Sequence, residues 1–562
     1  MTKTKKNRRG FFASAASPPP PPAPLLQPQA QAPSRVLLVN LNKYTQPYPV
    51  YPLGLSYING ALRAAGFETL FWDSQVNRDE ITACAKNFRP DFIGLSLRNI
   101  DNAQSHNPLS FVRELADCCA ALREVTTAPV IVGGSGFSIF PKELLELTGA
   151  DYGIQGEGEA PFLALLAALR ARENENAARD THDARAAVRG IPGVVWRDDF
   201  FGVRDFSPAF DGGIHPAART KGGGPINWPV KSGTEVPHSK IPGKIPSKIP
   251  SKIPAAIHCN PRLAAQAGFV NEPAHDPEVL GAYVAAGSLI GVQTQRGCPL
   301  KCCYCPYPLV EGRRSRFRSG AEVAEEMARL AALGARYTFI VDSVFNTSEA
   351  HVIEVCEALI ARKLDMEWEC FLRPRGVTRE HLALMRAAGM RHIEFGSDSF
   401  SDPVLAAYGK SFTYDDIRRV SLDAHALDLR YGHFLIFGGP GETPASVDET
   451  LRRSAELPDA FYFATIGMRI YPGTPLWEKA GPAKTGEPPE NFLATPRFHL
   501  EPPLTTQSLF AKLTAFRENA HNWVVGDPTP AFIATMEKLR RRGIRGPLWE
   551  YIEVLQRYAK NA

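Results

Sequence analysis

Short apolar runs alternate along most of the chain with longer stretches whose apolar positions recur every three or four residues. Val36-Leu37-Leu38-Val39 is apolar without interruption, as a strand buried on both faces would be. Residues 55–65 carry helical spacing that stops at Gly66, and Thr69-Leu70-Phe71-Trp72 reads as a second strand. A third strand (Phe92-Ile93-Gly94-Leu95-Ser96-Leu97), a helix over 111–122, a fourth strand (Pro129-Val130-Ile131-Val132-Gly133-Gly134), a fifth (Tyr152-Gly153-Ile154) and a helix over 160–170 follow. Strands alternating with helices predict an α/β domain over 34–170 with a Rossmann-like, doubly wound parallel sheet. Ligands of such sheets lie beyond the carboxyl ends of the strands, where the polar or glycine-rich loops 98–102, 133–136 and 156–158 fall.

Between 171 and 288 the rhythm fails, and this stretch reads as a linker. Val194-Val195-Trp196 and Phe201-Gly202-Val203 have the look of a small hairpin. Gly222-Gly223-Gly224 and four tetrapeptides ending in Lys-Ile-Pro, over 239–254, mark an extended basic insertion at about 216–258. A proline in every repeat removes a backbone donor and forbids a helix or a central strand. From 289 to 487 the alternation resumes. Its strand candidates are Ile290-Gly291-Val292-Gln293, Tyr337-Thr338-Phe339-Ile340-Val341, Met366-Glu367-Trp368-Glu369-Cys370, His392-Ile393-Glu394-Phe395, Gly432-His433-Phe434-Leu435-Ile436 and Gly467-Met468-Arg469-Ile470. Six such units in series predict a partial (β/α)6 barrel, a shortened relative of the eight-stranded barrel. Residues 488–562 read as a helical C-terminal extension, and residues 1–33, with five prolines in a row at 18–22, as a disordered Pro-rich tail.

Composition changes this picture little. With 44% hydrophobic and 22% charged residues among 562, the chain has the make-up of a globular protein of two or three domains. Five of its cationic residues, Lys3, Lys5, Lys6, Arg8 and Arg9, sit in the tail, so the net charge of +5 leaves the rest near neutrality. A general nucleic-acid surface is not expected on that balance. Arg8-Arg9-Gly10-Phe11-Phe12 resembles a twin-arginine export signal, but prolines interrupt the apolar segment that should follow. No run of about 18 apolar residues predicts a membrane span, so the expected location is cytoplasmic.

Candidate chemistry is concentrated at Gly297-Cys298-Pro299-Leu300-Lys301-Cys302-Cys303-Tyr304-Cys305-Pro306, which holds four of the ten cysteines. Clustered thiols in a long chain without a credible export signal point to a metal site in a reducing compartment. Cys298, Cys302 and Cys305, spaced C-x3-C-x2-C, suit three irons of a [4Fe–4S] cubane and leave the fourth iron open. A structural zinc site would need a closed tetrahedral shell, and no second C-x2-C or H-x3-H pair lies nearby. Cys303, spaced C-x-C from Cys305, reads as a buried small residue.

This loop, with an aromatic residue before its last cysteine, resembles the signature of the radical S-adenosylmethionine (SAM) family, and the resemblance extends over about 289–477. It implies that Tyr304 lies at the SAM site and that Asp342, in the segment after the second barrel strand, approaches the SAM amino group. It implies that Arg373 meets the SAM carboxylate, a task suited to a guanidinium fork. Glu394 and Ser399, in Glu394-Phe395-Gly396-Ser397-Asp398-Ser399, resemble a fourth-strand motif near the ribose. Gly438 and Gly439, in Gly438-Gly439-Pro440-Gly441-Glu442-Thr443, resemble a fifth-strand turn passing the adenine. The chemistry so implied is reductive cleavage of SAM, with electrons from a donor such as flavodoxin or ferredoxin.

A Rossmann-like domain ahead of such a barrel resembles the cobalamin-binding branch of the family, the class B-like methyltransferases. The dinucleotide alternative lacks a G-x-G-x-x-G after the first strand. The resemblance implies corrin contacts from Gly54, Ser96, Leu97, Arg98, Gly133, Gly134, Gly156 and Glu157. A D-x-H-x-x-G ligand motif is missing from the first loop, and Asp180-Thr181-His182 in the linker has Arg185 where its glycine should stand. No cobalt-ligating histidine is therefore expected. Arg98 could instead face the lower side of the corrin, as in some tryptophan-methylating members, or pair with Asp101 at the surface. The expected function is cobalamin-dependent methylation of an unreactive carbon of a small-molecule substrate. Alternatives are a non-methylating rearrangement or cyclisation, and a cobalamin or iron–sulfur sensor without turnover. A methylthiotransferase would need a second three-cysteine cluster, which Cys84, Cys118 and Cys119 do not form.

Overall fold

Two seven-stranded sheets organise the chain in a computed structural model that describes residues 33–43, 48–174, 188–197, 256–262, 269, 271–526 and 530–552. The Pro-rich tail up to residue 32, the 180–185 string, Phe201-Gly202-Val203 and the Lys-Ile-Pro repeats lie outside the described residues.

The first sheet contains β1 (Arg35–Asn40), β2 (Glu68–Asp73), β3 (Phe92–Ser96), β4 (Val130–Gly133), β5 (Tyr152–Ile154), β6 (Val194–Arg197) and β7 (Ile257–Cys259), in the order β2-β1-β3-β4-β5-β6-β7. Pairings from β2 through β5 are parallel, and β6 and β7 continue the sheet antiparallel. Strand order reverses between β1 and β3, which is where a doubly wound sheet opens a ligand crevice. Val36 and Leu38 face one layer of core while Leu37 and Val39 face the other, all fully buried. That two-sided burial is why the first strand is uninterruptedly apolar.

The second sheet is the barrel wall. After β8 (Ile290–Val292), the short pair β9 (Gln295–Arg296) and β10 (Arg316–Phe317) brackets the cysteine loop. Then come β11 (Tyr337–Ile340), β12 (Glu367–Leu372), β13 (Met390–Asp398), β14 (Arg430–Phe437) and β15 (Phe461–Ile466). A second short pair, β16 (Met468–Arg469) with β17 (Phe498–His499), precedes β18 (Trp523–Val525). The barrel order is β18-β15-β14-β13-β12-β11-β8, parallel throughout.

Three features differ from the expectation. The sixth barrel strand is Phe461–Ile466, not 467–470, because Gly467 takes a φ of 76° and turns the chain out of the wall into β16. The C-terminal extension is not purely helical: β18 adds a seventh parallel strand, its Trp523 stacked on Tyr462 at 4.7 Å between ring centres. The stretch expected to be a linker belongs to the body. It supplies β6, β7 and the helix Pro277–Ala285, whose Tyr283 hydroxyl donates to Asp73 at 3.1 Å.

Both cores run across the two sheets. One joins Val36 and Leu38 to Ile290, Val292 and Ile340, and the other joins Leu37 and Val39 to Cys303, Val404 and Met468. Among the described residues no helix is long and apolar enough to cross a membrane. Because Trp523 is 1% exposed and closes the wall beside Tyr462, Trp523→Ala is expected to cost ~3–5 kcal/mol in urea denaturation. A loss below ~1 kcal/mol, the size of a surface change, would remove β18 from the barrel's structural wall.

Candidate active site

The carboxyl ends of both sheets open on a shared cavity of about 1220 Å3. The cysteine loop forms one of its walls. β9 and β10 pair at the two ends of that loop, and Gly297 must be glycine, since a Cβ there would stand 2.3 Å from the Arg314 carbonyl oxygen. Cys298 N–H donates to Gly312 O at 3.0 Å, and Cys303 N–H to Tyr408 O at 2.9 Å. Cys298, Cys302 and Cys305 line the cavity, whereas Cys303 turns into the core with its sulfur 3.8 Å from that of Met468. Burial raises all four thiols, Cys305 to about 12 and Cys303 to about 11. Iron binding at the three cavity thiols would therefore displace protons. Among the described residues no three His, Cys, Asp or Glu side chains converge on a single-ion site. Thiols spread along one loop suit separate irons of a cubane better than one tetrahedral zinc.

Around that loop the sequence-derived residues divide into two groups. Tyr304, Asp342 and Arg373 line the cavity. The Tyr304 hydroxyl donates to Asp398 at 2.7 Å. The Asp342 carboxylate faces the chain at the start of the loop, accepting from Thr294 N–H at 2.7 Å, Gln295 N–H at 3.0 Å and the Thr294 hydroxyl at 2.5 Å. It thereby pins β9 to the end of β11. Burial raises Asp342 to about 7, and these hydrogen bonds limit the rise. Arg373 follows β12, its N–H and C=O both held by the Asn346 side chain at 3.0 Å, and its Nε has no hydrogen-bond partner.

Glu394, Ser399, Gly438 and Gly439 do not line the cavity. Glu394 points inward from β13 beneath the cavity, beside Glu369 of β12, whose two carboxylate oxygens have no hydrogen-bond partner. Burial pushes both acids up, and the Glu394 charge adds to the rise of Glu369. Ser399 lies behind the strand, 3.3 Å from the Thr450 hydroxyl. Gly438 and Gly439 form a turn tied by N–H donation to the Glu442 carboxylate and, at 3.1 Å, to the Tyr408 hydroxyl. A Cβ on Gly439 would fall 2.3 Å from that hydroxyl, so close packing accounts for this glycine.

From the first sheet, Gly54, Ser96, Arg98, Gly133, Gly134, Gly156 and Glu157 line the cavity. Leu97 does not; its side chain is 5% exposed in the core while its carbonyl accepts from Gly136 N–H at 2.9 Å. Gly134, at φ 100°, lets that carbonyl approach to 2.5 Å of where a Cβ would stand. The Arg98 carbonyl accepts from the Ser135 hydroxyl at 2.7 Å, and its side chain faces the cavity. Asp101 pairs with Arg469 of β16 at 2.9 Å and is 6% exposed. Glu157 accepts from Arg296 at 3.2 Å and also from Arg316, and Glu159 from Arg296 at 2.6 Å. Burial alone would raise Glu157, but the two guanidiniums outweigh it and hold it below the usual carboxylate range.

Sequence reading missed Lys410, which lines the cavity and pairs with Asp398 at 2.6 Å, as well as Glu369 and the arginines flanking the loop. Arg296 stands directly before Gly297-Cys298, and strand alternation puts Glu369 on the same face as Phe371, inside the barrel, while Glu367 stays exposed at the strand's start. Lys410 gives no local signal.

Two family models match the chain: a B12 binding domain over residues 42–166 and the radical SAM superfamily over 292–453. Tryptophan 2-C-methyltransferase from Streptomyces laurentii is 26% identical over 460 residues, 78% of this chain and 73% of the relative. Cytidylyl-2-hydroxyethylphosphonate methyltransferase from Streptomyces wedmorensis is 25% identical over 457 residues, 75% of this chain and 77% of the relative. The structure of the radical SAM methyltransferase TsrM from Kitasatospora setae, with cobalamin and a [4Fe–4S] cluster bound, superposes with a TM-score of 0.71 at 22% identity. That match covers 94% of this chain and all of the other, and it shows the same fold.

Two expectations test these placements. Cys303→Ala should keep the full iron content per chain after anaerobic reconstitution, whereas Cys298→Ala should lose most of it; equal loss would put Cys303 among the ligands. Asp342 titrates near 4 in an unfolded chain and near 7 here, so its contribution to stability is present at low pH and is lost as pH rises through that window. Asp342→Asn should therefore gain stability relative to the natural chain from about pH 4 to pH 7, by at most ~1.4 kcal/mol per unit, and level off above. A pH-independent difference in urea midpoints would show that the carboxyl is already ionised.

Proposed function

We propose that this chain, which belongs to the cobalamin-binding radical SAM enzymes, methylates an unreactive carbon of a small-molecule substrate held between its two sheets. The observation that carries the reading is the shared cavity, into which the first sheet presents Gly54, Ser96, Arg98, Gly133, Gly134 and Gly156 while the barrel presents Cys298, Cys302 and Cys305. Methylation is supported by the two relatives named above, both methyltransferases, which align over three quarters or more of this chain.

The residues present suit the groups such an enzyme uses. Cys298, Cys302 and Cys305 would hold the irons, and Arg373, fixed by Asn346 at the cavity rim, would take the SAM carboxylate. Gly133, Gly134 and Gly156, at the ends of β4 and β5, present backbone without side chains to the cavity, which suits a flat macrocycle. When bound, the cluster supplies an electron to SAM, and the corrin carries the methyl group.

The protein's own part is placement and exclusion of water. Asp342 anchors the start of the cysteine loop, Tyr304 closes it against Asp398, and the β3 loop sets Arg98 against the first-sheet side of the cavity. Arg98 would set a positive charge against a corrin held on that side of the cavity. Electrons would come from a small carrier such as flavodoxin or ferredoxin.

Anaerobic reconstituted protein given methylcobalamin, SAM with a deuterated methyl group, a reductant and cell extract should release S-adenosylhomocysteine and a product heavier by the labelled methyl. Formation of 5′-deoxyadenosine with no labelled product would replace methylation by rearrangement or cyclisation. In the same preparation Arg98→Ala should change the visible and EPR spectra of bound cob(II)alamin. An unaltered cobalt coordination state would remove Arg98 from the corrin face.

A further inference from the structure

We infer that Lys301 and Arg375 form the docking face for a small acidic electron-carrier protein, seated over residues 409–411 where that segment packs on the cysteine loop. The inference rests on Cys298, Cys302 and Cys305 carrying the cluster, and it deepens that reading by placing the electron donor.

Residues 409–411 join the two cations. On one side, a Cβ at Gly409 would stand 2.4 Å from Lys301 O and 3.7 Å from Cys302 Cα, an approach that glycine, at a φ of 78°, permits. On the other, Arg375 Nη1 donates to Ser411 O at 2.8 Å. The first and last Cα of three consecutive residues lie at most about 7 Å apart. Lys301, Arg375 and Ser411 are all exposed, so the two cations belong to one patch of surface beside Cys302.

The patch is positive without compensation. Segments 299–310, 372–379 and 403–414 contain no Asp or Glu. Among the described residues no carboxylate pairs with Lys301 or Arg375. Lys410, between Gly409 and Ser411, is buried and neutralised by Asp398 at 2.6 Å, so the surface charge is that of its neighbours. Arg313 and Arg314, also exposed, carry the field to the other limb of the loop, where Gly312 O accepts from Cys298 N–H at 3.0 Å. The chain beyond its tail is close to neutral, so this concentration of charge is local.

Such a face fits a protein that carries negative charge and an electron. Reduction of the cluster takes one electron from the reduced carrier, which is oxidised by one; no bond forms or breaks, so encounter and proximity govern the step. Opposite charge speeds the encounter and orients the docked pair. Contact over 409–411 then brings the donor against chain that adjoins Cys302. An anionic small molecule drawn into the cavity would need the charge on the cavity lining, and Arg375 is not part of it.

The test is stopped-flow reduction of the reconstituted full chain by flavodoxin hydroquinone, at low and high salt, with iron content measured in parallel. The double variant Lys301→Glu, Arg375→Glu should keep its iron, lose at least about tenfold in second-order rate constant at low salt, and lose most of the salt dependence. Its reduction by photoexcited 5-deazaflavin, a small neutral reductant, should be unchanged. Lys363→Glu, a charge reversal at the exposed helix end preceding β12, should leave the flavodoxin rate intact. An unaltered flavodoxin rate in the double variant, an equal loss in Lys363→Glu, or a matching loss with 5-deazaflavin would overturn the inference. If the double variant holds no iron, Arg375→Glu alone decides: a loss of about threefold or more at low salt supports the docking face, and a smaller one ends it. An unsubstituted chain that takes up no cluster would instead overturn the cysteine assignment, and this inference with it.

Discussion

Buried charge fixes how the two halves of this protein meet. Arg296 and Arg316 flank the cysteine loop with side chains 6% and 5% exposed, and at that depth a guanidinium without a carboxylate partner is prohibitive. Their partners, Glu157 and Glu159, come from the first sheet, just after the carboxyl end of β5. Satisfying four charges at once leaves the first domain one place to sit, with the carboxyl ends of its strands facing the thiols. Asp101 with Arg469 repeats the arrangement on the opposite side, tying the loop after β3 to β16. The shared cavity follows from these pairings, and so does the direct continuity of the two apolar cores.

Much of this was legible from local pattern. Continuous apolar strands such as Val36-Leu37-Leu38-Val39 announce two-sided burial, and the C-x3-C-x2-C spacing separates the three cysteines that line the cavity from the core residue Cys303. What stayed hidden is non-local. β18 has three residues, too few for a periodic signal, and earns its place only by pairing with β15. The sixth strand is ambiguous in sequence because Met468-Arg469-Ile470 is as strand-like as Phe461-Tyr462-Phe463, and only the turn at Gly467 separates them. β7 carries no strand signal of its own because proline-rich sequence precedes it. Lys410 is an ordinary residue in its own neighbourhood and becomes informative only where it pairs with Asp398 on a segment packed against the cysteine loop.

The same reasoning separates cavity residues from scaffold. Position after a strand end is enough to bring Asp342 and Arg373 to the cavity, yet Asp342 spends its carboxylate on Thr294 and Gln295. Ser399 and Gly439, equally near strand ends, turn toward helices that cover the barrel's outer face. Glu369 and Glu394 lie on the inner face but outside the cavity lining, acids that burial pushes above the usual carboxylate range. Whether a side chain serves cofactor or fold is decided by which layer its strand position faces and what is already bound to it.

Co-occupancy of the one cavity can be measured directly. Chain loaded with both cob(II)alamin and a reduced [4Fe–4S] cluster carries two paramagnetic centres, and EPR of the pair reports whether they sense each other. Broadening or splitting of the cob(II)alamin signal on cluster reduction, absent in Cys298→Ala, is expected if both face the same space. A sharp cob(II)alamin signal, unchanged when the cluster is reduced, would contradict it.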